Sequence, residues 1–222
     1  MATVASRWKR IQAEIEQIAS KPVTVVAVSK QQPIAKMQEA FAAGLRHFGE
    51  SYVQEALSKM ATWQERTNVV WHFIGPIQSN KTKHLAEHFD WVQSVDRLKV
   101  ARRLNDQRPS HLPPLNVLIQ VNISGEPSKS GVHPDEVLPL AQAIRHLPRL
   151  SLRGLMTIPS PNAPMDQWQS MLTLFQQLST YVNTCDTLSM GMSNDYATAI
   201  RYGATMIRLG TALFGPRSSN RS

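Results

Sequence analysis

Apolar residues follow two different spacings along this chain of 222 residues. In residues 2–19 they recur every three or four positions, which is the spacing of an amphipathic helix with one buried face. The next segment, residues 23–28, is a short valine-rich run, typical of a strand buried on both faces of a parallel sheet. Lys30 ends this run. The pattern therefore predicts a helix on the outside of the fold, followed by a central strand with a lysine at its carboxyl end.

Strand and helix spacings then alternate through the rest of the chain. The predicted strands are residues 23–30, 46–49, 69–74, 91–95, 115–123, 152–158, 187–190 and 205–209. A helical segment follows each strand, beginning with residues 33–44 and ending with residues 211–214. Eight strand–helix units predict an α/β fold, a single (β/α)8 TIM-type barrel with an extra N-terminal helix. The alternative is an open doubly wound sheet, which favours a glycine-rich turn after its first strand, whereas residues 29–33 contain no glycine.

Length and composition favour a soluble chain with one domain. We expect that domain over residues 1–217 and a frayed tail over residues 218–222. No apolar segment approaches the roughly 20 residues of a membrane span, and the first twenty residues lack the continuous apolar centre of a signal peptide. Cys185 is the single cysteine, which agrees with a reducing compartment. The sequence therefore predicts a cytoplasmic protein that does not contact membranes.

The net charge of +8 raises the hypothesis of a nucleic-acid partner. The densest basic stretch consists of Arg97, Lys99, Arg102, Arg103 and Arg108. No aromatic residue is interleaved with these charges, although proteins that bind single strands usually combine charge with stacking platforms. Lys99, Arg102 and Arg103 lie on one face of a predicted helix, so a solvated helix face is favoured over a specific nucleic-acid site.

Lys30 is the first candidate for chemistry. In α/β barrels the active face lies at the carboxyl ends of the strands, where this lysine is predicted to lie. Partial desolvation at that place lowers the pKa of a lysine amine and makes the amine a usable nucleophile. The alternative is a solvated lysine that only ends the strand, since most lysines are exposed.

Two loops near the end of the chain have the composition of an anion site. Residues 191–194 follow the seventh strand, where Ser193 offers a hydroxyl and is predicted to cap the next helix. Gly210 and Thr211 follow the eighth strand, where glycine allows close approach and a further short helix begins. Barrels often bind phosphate at these two loops. Ordinary helix capping is the alternative for either loop taken alone.

Closure of a barrel would bring these candidates together. Strands one and eight are neighbours in a closed barrel, so the Lys30 amine is expected beside the predicted phosphate cradle. A lysine next to such a cradle suits a phosphorylated aldehyde, and pyridoxal 5'-phosphate is the commonest cofactor of that kind. Successive side chains of a strand point to opposite faces, so residues two apart share a face. Arg208, two residues before Gly210, can therefore reach the ring nitrogen of this cofactor.

Nine segments of the chain carry a family resemblance. They are AVSK (27–30), FGE (48–50), YVQE (52–55), WHFIGPIQSNK (71–81), VNI (121–123), SKSG (128–131), GLM (154–156), LSMGMS (188–193) and IRLGTALFG (207–215). In these segments the chain resembles the pyridoxal phosphate homeostasis proteins, the YggS/PROSC-like family. The resemblance implies a monomeric barrel similar to the amino-terminal domain of alanine racemase, without the second β domain of that enzyme.

The resemblance also implies roles for single residues. Lys30 would hold pyridoxal 5'-phosphate through a Schiff base, the internal aldimine. Ser193, Gly210 and Thr211 would hold the phosphate group, and Arg208 would face the pyridine nitrogen. These roles agree with the hypothesis built from the strand ends and loops alone.

Ser51 departs from the family pattern. The family usually has Gly-Glu-Asn at this place, whereas the chain has Gly49, Glu50 and Ser51. We therefore expect a contact between residue 51 and the cofactor to be shortened or lost.

In the third strand, His72 either lines the cofactor site or is a hydrogen-bonded wall residue.

Other residues with chemical potential receive structural interpretations. His84 and His88 have the spacing of metal ligands on one helix, but no third ligand is evident, so a solvated helix face is favoured. Met190, Met192 and Met206 are expected to fill the core.

Three functions follow as hypotheses. The family implies a protein that carries or regulates the intracellular vitamin B6 pool and amino-acid homeostasis, without established catalytic activity. We expect such a carrier to give up its cofactor to apo-enzymes. A pyridoxal phosphate enzyme of the amino-acid racemase type is the second, and a nucleic-acid binder is the third. Arg208 favours the first, because a guanidinium keeps its proton and leaves the ring nitrogen it faces unprotonated, which weakens the cofactor as an electron sink.

Overall fold

The computed structural model describes residues 1–63 and 68–217, and the predicted frayed tail lies outside them. The strands are β1 (Thr24–Val28), β2 (His47–Glu50), β3 (Val70–Phe73), β4 (Trp91–Val95), β5 (Leu115–Val121), β6 (Leu150–Thr157), β7 (Thr187–Ser189) and β8 (Met206–Leu209). Each coincides with a predicted strand to within a few residues. The largest differences are two residues: β1 and β5 end two residues before the predicted strands, and β6 begins two residues earlier than predicted.

The strands form one closed barrel in sequence order. All neighbours pair in parallel, and β1 closes the ring by pairing with β8 along the register from Thr24 opposite Met206 to Ala27 opposite Leu209. Parallel neighbours require a crossover connection, which the helices provide. The predicted TIM-type barrel is therefore confirmed, and the carboxyl ends of all eight strands lie at the same end of the ring.

Helices alternate with the strands around the outside of the barrel. They are α1 (Val4–Ile18), α2 (Ile34–Ala42), α3 (Val53–Thr62), α4 (Thr82–His88), α5 (Leu98–Gln107), α6 (Val137–Ile144), α7 (Met165–Tyr181), α8 (Tyr196–Arg201) and α9 (Thr211–Phe214). Short 3-10 turns precede α4 and α6. None of these described helices is both long and apolar enough to cross a membrane.

The extra N-terminal helix α1 has a well-defined start. Thr3 and Ser6 form a capping box, in which each side chain accepts a hydrogen bond from the backbone N–H of the other residue. The buried face of α1 includes Val4, Ile11 and Ile15, and the helix packs against α2, α8 and α9. It therefore covers the outside of the barrel where the first and last strands meet, as its apolar spacing predicted.

The strands bury apolar side chains on both sides. Their outward faces and the helices share one large cluster, which contains Phe48, Phe73 and Leu155. A second, much smaller cluster fills the barrel interior and consists of Val26, Trp91, Leu118, Met156 and Met206. Burial on both faces explains why the strands appear in the sequence as continuous apolar runs.

Candidate functional site

A cavity of about 950 Å³ opens at the carboxyl end of the strands. All six residues predicted to bind a cofactor line it, namely Lys30, Ser51, Ser193, Arg208, Gly210 and Thr211. They come from the ends of β1, β2, β7 and β8, which are far apart in sequence. The closure of the barrel between β1 and β8 therefore brings together residues near both ends of the chain.

Lys30 lies two residues beyond β1 and is half-buried at the cavity wall. Its amine makes no hydrogen bond or ion pair with any residue that the structure describes. Burial lowers the pKa of this amine, and the positive charge of Arg217 lowers it further. Both effects increase the fraction of neutral amine, which is the nucleophilic form.

A buried ion-pair cluster supports the loop that carries Lys30. The Lys59 ammonium group, on α3, contacts the Glu50 carboxylate at 2.9 Å and the backbone carbonyl of Ser29 at 2.7 Å. The Ser29 hydroxyl donates to Glu50 at 2.6 Å. Burial raises the pKa of Glu50, although Lys59 and the hydrogen bonds oppose this shift. The cluster joins β2 and α3 to the residue that precedes Lys30, and thus fixes where the lysine leaves the sheet.

The residue after Lys30 is held from two directions. Gln31 has a φ of 59°, in the left-handed region that non-glycine residues rarely adopt. Its backbone N–H donates to Glu55 at 2.6 Å, and its side chain accepts a hydrogen bond from Arg217 at 2.8 Å. These contacts stabilise an unfavourable backbone conformation next to the candidate lysine.

Ser193 joins the two loops of the predicted anion site, but it does not cap the helix for which it was predicted. Helix α8 begins only at Tyr196, and its N-cap is Asp195. The Ser193 hydroxyl instead accepts a hydrogen bond from the backbone N–H of Ala212, in α9, at 3.1 Å. Both Ser193 and Asp195 are good N-cap residues, so local sequence could not decide between them.

Gly210 and Thr211 lie where β8 runs into α9. Gly210 is the N-cap of α9 and Thr211 is its first residue, with an exposed side chain facing the cavity. A Cβ atom added to Gly210 would make only an ordinary contact with Val28, at 3.6 Å. Packing within the described residues therefore does not require glycine here, whereas a ligand at the start of the helix would gain from the open space.

The guanidinium group of Arg208 forms part of the cavity wall at the end of β8. Nη1 donates to the Ser189 hydroxyl at 2.6 Å, and Nη2 donates to the backbone carbonyl of Thr157 at 2.9 Å. The side chain is 3% exposed, and burial lowers its pKa to about 10. The group therefore remains a cation at neutral pH, with further N–H groups that these two bonds do not use.

Ser51 lies directly after β2 and lines the same cavity. Its hydroxyl makes no hydrogen bond with the residues that the structure describes. A Cβ atom on Gly75 would approach the Cα of Ser51 to 2.9 Å and its carbonyl oxygen to 2.7 Å. Close packing against this glycine thus fixes the backbone of Ser51 at the cavity wall.

The remaining interpretations had mixed outcomes. His72 is fully buried and hydrogen-bonded inside the barrel rather than lining the cavity. Met190 and Met206 are buried, as predicted, but the prediction was wrong for Met192, which is 44% exposed and lines the cavity. Burial raises the pKa of the Cys185 thiol to about 12, so this cysteine lacks the low pKa of a nucleophilic thiol.

The basic stretch does not line the cavity, and part of it has other contacts. Arg97 donates to the carbonyl of Ile77, and the buried Arg108 donates to the carbonyls of Ala86, Phe89 and Pro113. Lys99, Arg102 and Arg103, the three residues predicted to share one helix face, are exposed on α5, whereas Arg108 lies just beyond the end of that helix. Within the described residues no group of three or more histidine, cysteine, aspartate or glutamate side chains could hold a metal ion.

Several residues of the site were missed from the sequence. Lys129 and Arg217 both line the cavity, and Lys59 supports it from behind. A signal for Lys59 exists, because Val53 and Ala56 are buried on α3 and the same spacing of three places residue 59 on the buried face. No comparable local signal identifies Arg217, which follows Pro216 near the end of the described chain.

These residues together fit a phosphorylated aldehyde. Lys30 supplies an amine that has no partner among residues 1–63 and 68–217, while Ser193, Thr211 and the start of α9 supply donors for a phosphate group. Arg208 supplies a fixed cation whose guanidinium N–H groups can donate a hydrogen bond to the lone pair of a ring nitrogen. The structure thus defines the class of the protein as a closed barrel in which a lysine amine and the loops after β7 and β8 line one cavity at the carboxyl ends of the strands.

The comparison with protein families agrees with this class. The chain belongs to the family described as alanine racemase, N-terminal domain, which matches residues 2–218. The pyridoxal phosphate homeostasis protein of Pseudomonas aeruginosa is 53% identical over 224 residues, which cover 98% of this chain and 97% of that protein. The protein of the same name from Escherichia coli K12 is 52% identical over 205 residues, 90% of this chain and 88% of that one.

A solved structure has the same fold. PipY of Synechococcus elongatus PCC7942, determined with pyridoxal phosphate bound, has a TM-score of 0.82 and 35% sequence identity. The alignment covers 96% of this chain and 100% of PipY. The resemblance to the pyridoxal phosphate homeostasis proteins that the nine segments indicated is thus confirmed over almost the whole chain.

Proposed function

We propose that this protein binds pyridoxal 5'-phosphate and carries or regulates the intracellular vitamin B6 pool and amino-acid homeostasis. The main support is the Lys30 amine, which lacks a partner among the described residues and shares one cavity with Gly210 and Thr211. The names of the relatives and the bound cofactor of PipY support the same choice. When bound, this cofactor supplies an aldehyde that condenses with primary amines.

Lys30 is the proposed point of covalent attachment. Its lowered pKa leaves more neutral amine at neutral pH than an exposed lysine has. The Glu50–Lys59 cluster keeps the loop in place, so attachment does not require the loop to become ordered first. Lys30 therefore combines reactivity with a fixed position.

The phosphate group is proposed to lie at the start of α9. Ser193 and Thr211 supply hydroxyl groups there, and Gly210 leaves room for close approach to the backbone. Charge-assisted hydrogen bonds of this kind are about twice as strong as neutral ones. Pyridoxal without its phosphate should therefore bind much more weakly than pyridoxal 5'-phosphate.

We further propose that the protein holds the cofactor without turning over amino acids. Arg208 stays cationic at neutral pH and would leave the ring nitrogen unprotonated, which limits electron withdrawal. Incubation with each alanine enantiomer in deuterated water measures this directly. α-Deuteration or racemisation well above that caused by the free cofactor would favour the racemase alternative.

The proposal includes the cellular setting. We propose a monomer with one domain over residues 1–217 that works in the cytoplasm, receives pyridoxal 5'-phosphate and passes it to apo-enzymes. Mixing the loaded protein with an apo-enzyme that requires this cofactor should restore the activity of that enzyme. Failure to restore it would contradict the carrier role while leaving cofactor binding intact.

Attachment at Lys30 can be tested by borohydride reduction of the loaded protein and mass spectrometry of its peptides. The adduct should lie on the peptide that contains Lys30, and Lys30→Ala should abolish it while leaving the fold intact. Lys129→Ala is the matched control, because Lys129 lines the same cavity but lies 3.5 Å from Glu126. An adduct that stays in Lys30→Ala and disappears in Lys129→Ala would overturn the assignment.

A further inference from the structure

A continuous chain of hydrogen bonds crosses the interior of the barrel below the cavity. It begins with Arg208 Nη1, which donates to Ser189 Oγ at 2.6 Å. Ser189 Oγ donates to Gln93 Oε1 at 2.7 Å, and Gln93 Nε2 lies 2.9 Å from His72 Nδ1. His72 Nε2 then lies 2.9 Å from His47 Nδ1. Five strands, β8, β7, β4, β3 and β2, thus each contribute one polar side chain.

The chain is deeply buried. Ser189, Gln93 and His72 have no exposed surface, and Arg208 is 3% exposed. It leads from the cavity wall to His47, the half-buried first residue of β2 at the opposite end of the barrel. Buried polar groups are costly unless they are all paired, so a chain with every link made is a specific arrangement rather than filler.

The charge of Arg208 determines the direction of every donor. A guanidinium can only donate, so Ser189 must present a lone pair to it and direct its own proton to the Gln93 carbonyl oxygen. The Gln93 amide then has its NH₂ group towards His72, whose Nδ1 must accept. Burial holds the pKa of His72 well below its usual range, so the ring is neutral. His72 therefore carries its single proton on Nε2 and donates it to His47.

Packing fixes the ring and amide planes of the chain. The His72 ring stacks on Trp91 with a centroid distance of 5.3 Å and an interplanar angle of 17°. The NH₂ group of Gln93 also lies 3.3 Å from the Met206 sulfur. These contacts leave neither side chain free to rotate, so the orientation imposed at one end is maintained along the chain.

We propose that Gln93 and His72 are positioning residues that act through Ser189 to hold the Arg208 guanidinium in one orientation towards the ring nitrogen of the cofactor. The inference rests on the proposed binding of pyridoxal 5'-phosphate. Neither residue lines the cavity, so neither can act by touching the ligand. Ser189 and the carbonyl of Thr157 fix the plane of the guanidinium, and the chain behind Ser189 keeps its hydroxyl in the accepting orientation.

The test compares two ligands on two variants. Gln93→Leu removes both central bonds at similar volume. Ser94→Ala is the matched control, because the neighbouring Ser94 is also buried in β4 but donates to the carbonyl of Gly75 at 2.6 Å. The ligands are pyridoxal 5'-phosphate and its deaza analogue, which has carbon in place of the ring nitrogen. Dissociation constants are measured for each combination of ligand and protein, including the wild type, by absorption and fluorescence titration.

We expect Gln93→Leu to raise the dissociation constant of pyridoxal 5'-phosphate roughly tenfold, the size of one lost hydrogen bond to a charged group. The dissociation constant of the deaza analogue should stay unchanged. Ser94→Ala should change neither. Equal weakening of both ligands, or no weakening of either, would overturn the inference while leaving the proposed function intact. If the wild-type protein binds neither ligand, the proposed function itself fails.

A second measurement does not depend on the cofactor or on a variant that folds. Nitrogen-15 NMR of the histidine-labelled wild-type protein, without ligand, reports which ring nitrogen of His72 carries the proton. The chain requires protonation at Nε2 alone. A proton on Nδ1, or two protons at neutral pH, would reverse the donors at Gln93 and contradict the mechanism.

Discussion

The two sides of the barrel strands are equally buried but differ in chemistry. The outer side, between strands and helices, is an almost continuous apolar layer that includes Phe48, Phe73 and Leu155. The inner side has only five buried apolar residues in its cluster and is crossed by the polar chain from Arg208 to His47. The difference indicates that the apolar part of the outer layer mainly stabilises the fold, whereas the polar chain in the interior positions Arg208.

The largest expected effect comes from opening the outer layer. Phe48 has no exposed surface and packs against the rings of Trp63 and Trp71 at centroid distances of 5.9 and 6.4 Å. Phe48→Ala should lower the free energy of unfolding by about 3–5 kcal/mol, because it leaves a cavity that the neighbouring rings cannot fill. Urea unfolding followed by tryptophan fluorescence measures this loss.

The same variant tests the separation between the two sides. Protein that remains folded should bind pyridoxal 5'-phosphate as the wild type does, because Phe48 faces away from the cavity. Phe48→Leu serves as a control and should cost less, since it removes less volume. If Phe48→Ala weakened cofactor binding without destabilising the fold, the division between outer layer and interior would be wrong.

The outer layer and the interior of the barrel also differ in how far the sequence predicts them. The outer layer and the strands depend on local apolar periodicity, so the eight strands and the helix α1 were predictable. The placement of Lys30, Arg208 and Gly210 around one cavity was predictable because strand ends converge in a barrel. The hydrogen bond of Ser193 joins residues 19 positions apart in sequence, and Gln93 lies 96 positions from Ser189. Such pairings depend on register and closure, which no local pattern contains.

The next largest effect is expected at the one ion-pair cluster described above in the outer layer. Lys59→Met should lower the free energy of unfolding by on the order of 3 kcal/mol at neutral pH, because it leaves the Glu50 carboxylate buried without its cation. Burial already raises the pKa of Glu50, and Lys59 is the leading cause that opposes this shift. Removing Lys59 should therefore raise that pKa further.

The pH dependence of this loss has a definite sign. A carboxyl group with a raised pKa in the folded state favours folding at low pH, and this contribution is lost as the pH rises through the folded-state value. The loss of unfolding free energy in Lys59→Met, relative to the wild type, should thus be smaller at pH 5 than at pH 8. Urea unfolding at both pH values measures it. Glu50→Gln in the Lys59→Met background should remove the difference. A deficit that grew towards acid pH would contradict the assignment.

The smallest effect is expected at Ser51, where the family resemblance and the geometry point to the same position. The Ser51 hydroxyl lines the cavity without a partner among the described residues, while Gly75 holds its backbone in place. An asparagine amide reaches further than a serine hydroxyl from the same Cα. Ser51→Asn should therefore gain one hydrogen bond to the cofactor, which is worth about 0.5–1.5 kcal/mol, or roughly a two- to tenfold lower dissociation constant.

Fluorescence titration with pyridoxal 5'-phosphate measures this gain. Ser58→Asn, at an exposed position on α3, makes the same substitution away from the cavity and should leave the dissociation constant unchanged. The free energy of unfolding should stay the same in both variants, since neither serine side chain makes a hydrogen bond with the residues that the structure describes. Weaker binding in Ser51→Asn would mean that the space beside Ser51 is needed by the cofactor itself, so that serine is an adaptation to size rather than the loss of a contact.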